Sequence, residues 1–181
     1  MKLLFLFSAI FILGETSVFS QEKKISKTGQ IVFEASVPSF EEVKASNRTV
    51  SCILDTSTGE IACLALIRGF HFKVALMEEH FNENYIESDK FPKAIFKGII
   101  KDFNLANIDS KGAKHIIYGT LTLHGISKQI SVITFIKKTA NDLELTSTFN
   151  LNPKDFNINI PKIIKSKIAE NVQVQFYFLL Q

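Results

Sequence analysis

The sequence has no tryptophan, only two methionines and two cysteines, and no apolar run long enough for a membrane helix. A span needs about twenty apolar residues. The longest run, Leu3 to Leu13 broken by Ser8, is little more than half that. Net charge is a mild +3 and the lysines are scattered rather than massed. No basic stripe for a phosphate backbone follows from that, which removes nucleic acid as a partner. Two cysteines alone supply too few ligands for a metal centre. With eight glycines and four prolines there is no linker, low-complexity stretch or internal repeat, so the chain reads as one domain behind a short leader.

The signatures of catalysis are absent as well. There is no G-x-S-x-G elbow, no HExxH and no C-x-x-C, so no nucleophile, metal pair or redox pair is marked. His80 and Glu83 are spaced to share a helical face, which invites a metal reading, but His71, His115 and His124 have no spacing that joins them. The alternative use of His80 is a hydrogen bond to the segment Glu87 to Lys90. No catalytic residue, metal ligand or cofactor is assigned. Asn47-Arg48-Thr49 matches a glycosylation sequon, a weak pattern by itself.

The leader is an export signal by its layout. Lys2 precedes the apolar run, and Val18-Phe19-Ser20 precedes Gln21, which places cleavage after Ser20. No cysteine lies near the cut to carry a lipid anchor. The mature domain is then 21–181, expected in the periplasm or beyond the cell, where cysteines oxidise.

What is abundant is phenylalanine: seventeen residues, four of them in the leader. A well-filled core and an apolar, incompletely filled interior both use such residues. The second strong signal is alternation. Ile31, Phe33, Ala35 and Val37 share one face; Ala94, Phe96, Gly98 and Ile100 share another. Ile117, Gly119, Leu121 and Leu123 alternate with Thr120 and Thr122; Leu143, Leu145, Phe149 and Leu151 alternate with Glu144, Thr148 and Asn150. Val172, Val174, Phe176, Phe178 and Leu180 close the chain against Gln173 and Gln175. Period two marks half-buried strands, at least seven or eight of them.

The segment Asp55 to Glu60 reads as a hairpin turn between two more strands. Centred between Ser57 and Thr58, it sets Cys52 opposite Cys63. Opposed cysteines in a non-hydrogen-bonded pair are close enough to bridge, and a one-residue slip would separate them. A disulfide and two buried thiols both stay open. Over 73–85 the period changes: Val74, Met77, Phe81 and Tyr85 fall at helical spacing, and Ser88, Asp89 and Pro92 end the helix. Strands of this number with one helix predict an all-β, closed or nearly closed antiparallel barrel, which removes the exposed edges of an open sheet. Such barrels are either solid or hold one small ligand.

Three stretches resemble the YceI-like family. The first runs from Phe70-His71-Phe72 through Met77-Glu78-Glu79-His80-Phe81 and Glu87-Ser88-Asp89-Lys90-Phe91-Pro92-Lys93-Ala94 to Phe96-Lys97-Gly98. The second is Gly119-Thr120-Leu121-Thr122-Leu123-His124-Gly125. The third joins Phe149-Asn150-Leu151 to Asp155-Phe156-Asn157 and Pro161. Asn157 stands where glycine is common in that family, and the two cysteines are not hallmarks of it. The resemblance implies a lipocalin-like barrel with a helix at one opening, periplasmic, holding a polyisoprenoid chain inside.

Taken together, these readings predict a barrel that binds an apolar lipid, isoprenoid or fatty-acyl. Alternation puts Phe33, Phe96, Leu121, Leu123, Phe149, Phe176 and Phe178 inside. The helix brings Met77, Phe81 and Tyr85 to the mouth, and Phe91, which fixes the return into the next strand, is expected to line that mouth with them. The rival reading is a solid barrel acting through its surface as an envelope or stress-related interaction module. Lys154, Lys162, Lys165 and Lys167 form either a solvated loop or a transient contact with anionic headgroups.

Overall fold

The computed structural model describes residues 22–161 and 164–181. The expected export signal and Lys162 lie outside the described residues. Eight long strands form the wall: β1 (Lys23–Glu34), β2 (Lys44–Asp55), β3 (Glu60–Leu66), β5 (Lys93–Ile100), β6 (Ala113–Leu123), β7 (Ile126–Thr139), β8 (Asp142–Leu151) and β9 (Val172–Leu180). A two-residue strand, β4 (His71–Phe72), leans on the start of β2. All pairings are antiparallel in the order β1-β9-β8-β7-β6-β5-β3-β2, and β1 also pairs with β2. That last pairing closes the sheet into a barrel, as the alternation predicts.

The helix is shorter than its periodicity suggests. α1 spans Ala75–His80 and runs on as a π-helical turn over Phe81–Tyr85. Lys73 and Val74 stay outside it because Val74 is extended, at φ −111°. Glu78 anchors the helix to β4, accepting from the Phe72 amide at 2.9 Å and meeting His71 Nδ1 at 3.2 Å.

Register follows turn chemistry. Asp55 Oδ1 accepts from the Ser57 amide at 2.9 Å and from its hydroxyl, and Gly59 takes φ +79°, a left-handed conformation that glycine adopts freely. The hairpin therefore turns where expected, Cys52 faces Cys63 with Cα atoms 4.1 Å apart, and the two are joined as a disulfide. Asn47 of the sequon is fully buried. Its Nδ2 donates to the Leu66 carbonyl at 2.9 Å and its Oδ1 accepts from Thr49, so the side chain is a fastener between β2 and the end of β3.

Inward side chains behave differently along the barrel. At the end formed by the tail of β2 and the starts of β3, β6 and β8, Leu54, Ile100, Ile136, Leu143, Leu145 and Leu180 are sealed at 0–1 % exposure. Toward the other end the same faces carry Leu121, Leu123, Phe149, Leu151, Val174 and Phe176, all only half-buried. Half the barrel is a packed core and half is hollow. Truncation in the packed half leaves a cavity, whereas truncation in the hollow half removes a chain already lacking neighbours on one side. Leu145→Ala is therefore expected to cost about 3–5 kcal/mol and Leu151→Ala only about 1–2 kcal/mol, read by denaturant unfolding.

Candidate functional site: an apolar chamber and its mouth

The hollow half encloses a cavity of about 500 Å³, within the range of small-molecule sites. Phe33 of β1, Phe96 of β5, Leu121 and Leu123 of β6, Phe149 of β8, and Phe176 and Phe178 of β9 all line it. Met77, Phe81 and Tyr85 reach it from α1 and the turn that follows. Ten of the eleven residues expected around the interior are thus brought together.

Phe91 is the exception and corrects the expectation. It does not line the cavity; its ring meets the His124 imidazole edge-on at 4.4 Å and lies over Gly125. Gly125 sits at φ +74°, and a Cβ there would fall 2.7 Å from the Phe91 ring. Phe91 is outside because it follows a bend at Glu87 and precedes Pro92, so strand parity does not set its direction.

Under α1 four rings, Phe33, Phe70, Phe72 and Phe81, form an aromatic roof with centroids 5.3–6.2 Å apart in tilted and edge-on contacts, geometries that suit the ring quadrupole. Tyr85 lies nearby in apolar surroundings, and burial pushes its hydroxyl above the ordinary tyrosine value. The ionisable groups on the lining are Glu41, His80, Tyr85 and Lys167, all contributed by connections at the open end. The deep walls carry no charge. The chamber can exclude water and accept apolar surface; among the described residues it presents no nucleophile with a base beside it.

Sequence reasoning missed two parts of the site. Ile158, Ile160, Ile164 and Ile168 from the connection between β8 and β9 cover one side of the cavity, and irregular chain offers no periodicity to reveal them. The second is His124. The hydrogen bond to the segment Glu87 to Lys90 belongs to His124 rather than to His80, which is exposed on the cavity rim. The His124 side chain is 10 % exposed. Its Nδ1 donates to the Phe156 carbonyl at 2.9 Å, and its Nε2 lies 3.1 Å from Glu87 Oε2. One imidazole thereby ties the β6–β7 turn, the segment after the helix and the β8–β9 connection into a rim. His124, Glu87 and Asn157 all sit at φ between +46° and +55°, strained for residues with a Cβ, and Phe156 beneath them is buried.

Hydrogen bonds from Lys90 and then from His124 hold the Glu87 carboxyl below its ordinary value of 4.5. A depressed carboxylate stabilises the fold above its unfolded pKa and loses that contribution as pH falls through the folded one. Glu87→Gln should therefore melt below the wild type at pH 6–7. The difference should shrink below pH 4.5 and vanish once the wild-type carboxyl is protonated, in thermal melts across that range. A gap constant down to pH 2 would assign Glu87 a role that does not depend on charge.

The sequence pattern of the YceI-like domain matches residues 15–180, most of the chain and a few residues of the expected leader. Comparison with curated protein sequences gives no match. Among solved structures, a polyisoprenoid-binding domain from Saccharophagus degradans implicated in plant cell wall breakdown superposes with a TM-score of 0.73 at 14% identity, over 90% of this chain and 99% of that one. BcnA from Burkholderia cenocepacia gives 0.68 at 16% identity, over 84% and 96%. The Campylobacter jejuni YCEI protein gives 0.53 at 14% identity, over 100% and 99%. At these identities the likeness is one of fold. By the match along its length and the barrel it forms, this chain belongs to the YceI-like domain family.

Proposed function

We propose that the protein is an exported, periplasmic carrier of a long-chain apolar lipid, an isoprenoid or a similar hydrocarbon, held in the hollow half of the barrel, and that it is not an enzyme. The observation that carries this reading is the contrast along single strands. On β9 Leu180 and Phe178 are sealed at 0 and 2 % exposure, whereas Phe176, Val174 and Val172 face open space. A barrel serving only as a scaffold would gain by filling that space, because unfilled apolar volume costs contacts.

Energetics set the kind of ligand. Burial contributes about 0.8 kcal/mol per methylene, and association costs about 4–15 kcal/mol. A short apolar molecule does not overcome that cost, and a chain that fills the chamber does. The charge-free walls supply no handle for a sugar, peptide or nucleotide, and the binding of an apolar chain needs none. The polyisoprenoid-binding domain of similar fold supports the same class of ligand. The second reading, a surface-acting interaction module, has its footing on the outer wall, where Ile99, Tyr118, Ile133 and Phe135 are exposed on adjoining strands.

Native mass spectrometry of the protein, followed by organic extraction, separates the two. The expected result is an added mass that extracts as a prenyl or acyl lipid, with a melting temperature that rises on reloading. A bare mass, unchanged after incubation with prenols and fatty acids, would reject the carrier and leave the surface reading.

A further inference from the structure

The chamber has a floor, and the floor is built from two rings seated on glycines. Phe178 projects inward from β9 at 2 % exposure and lies against Gly29 of β1, where a Cβ would stand 2.2 Å from its ring. Phe96 projects from β5 and folds across Gly98 and Gly119, a cross-strand pair; a Cβ on Gly119 would stand 2.6 Å from that ring. Only residues without a side chain let the rings lie this flat against the wall. Ile61, Ile117 and Val132 complete the layer, touching the cavity while being at most 4 % exposed themselves. Below it Leu54, Leu145 and Leu180 are sealed and reach no part of the cavity.

We infer that this floor is a ruler: the protein holds a single hydrocarbon tail of roughly fifteen to twenty carbons, its blind end against Phe178 and Phe96 and its polar end at the mouth. The length follows from volume. A water's share of liquid is about 30 Å³, a methylene is of similar size, and the cavity is about 500 Å³. Depth sets how that tail lies. From Val172 to Phe178 the wall rises ~20 Å along the strand, and strands tilted about 35–45° reduce this to ~15 Å. A tail of this volume is therefore bent within the chamber or reaches up among the connections at the mouth, whose Ile158, Ile160 and Ile168 continue the lining. Orientation follows from the lining, since Glu41, His80 and Lys167 all stand on connections at the open end. The inference rests on the carrier reading and adds to it the size class of the cargo and the residues that set it.

Chain length acts through burial. Each carbon within reach of the floor adds affinity, and each carbon beyond it stays in water whether the ligand is bound or free. Pairwise competition between n-alkanols of eight to twenty-four carbons, read by native mass spectrometry, measures this. The wild type should gain up to about fourfold in preference per added carbon as far as fifteen to twenty carbons, and nothing further beyond. Phe178→Ala should move the break to longer chains. Because that substitution also weakens the core, Val174→Phe is the companion variant: it adds a ring within the hollow half, where Val174 is half-buried, and should move the break to shorter chains. A preference still rising at twenty-four carbons, or a break that stays in place in both variants, overturns the ruler while leaving a carrier. Binding of no alkanol at any length overturns the carrier reading itself, and the ruler with it.

Discussion

Everything in this molecule depends on the seam where β1 meets β2. Seven pairings build a sheet, and the eighth turns it into a vessel with an inside. β1 serves two partners at once, β9 along Gln30–Glu34 and β2 along most of its length. It does so with register irregularities on either side of Gly29, as expected where a strand must bend to close a barrel. Closure removes the edges that an open sheet would expose. It also decides which face of every strand is buried, because an inward residue on one strand must be inward relative to all the others. Gly29 sits in the seam and beneath Phe178, so the residue that lets the barrel close also seats part of the floor.

From that constraint the division of labour follows. The packed half supplies contact and sealed apolar area, from Leu54 through Leu145 and Leu180. The disulfide between Cys52 and Cys63 straddles the region where packed core gives way to open chamber: Cys52 is sealed, and Cys63 touches the cavity. The hollow half leaves aromatic surface short of neighbours, a cost that a bound apolar chain would repay. Phenylalanine suits both tasks, since a ring can fill a core or line a wall with few rotatable bonds.

The mouth is organised on a different principle. Three connections from distant parts of the chain converge there with little regular backbone pairing to hold them. A polar knot does it: Glu87, Lys90, His124 and the Phe156 carbonyl, flanked by the Phe91 ring. His124 is 37 residues from Glu87 and 32 from Phe156, so no local signal announces the knot. The left-handed residues His124, Glu87 and Asn157 store strain that the tertiary contacts hold in place. Asn157, noted in the sequence as a departure from glycine, takes the conformation that glycine would, one that asparagine tolerates better than most residues.

Strand positions, inward faces, the helix beside the opening and the opposition of the two cysteines were legible in the sequence, because each depends on local periodicity or a single turn. Alternation identified the inward phenylalanines of β1, β5, β8 and β9; Phe91, placed at the mouth with the helix, lies on no strand, and nothing periodic set its direction. The isoleucines of the β8–β9 connection were illegible for the same reason. Whether the barrel was solid or hollow was undetermined, since thirteen phenylalanines in the domain serve either case. By itself the sequence determined the strands, the pairing of the one hairpin that its turn residues centre, and the apolar character of the interior: period, turn residues and composition are properties of neighbours along the chain. The tertiary structure alone decided how far the chamber extends, where it stops and which histidine holds its rim. Those depend on how rings from separate strands meet glycines across the barrel, and no distance along the chain encodes that.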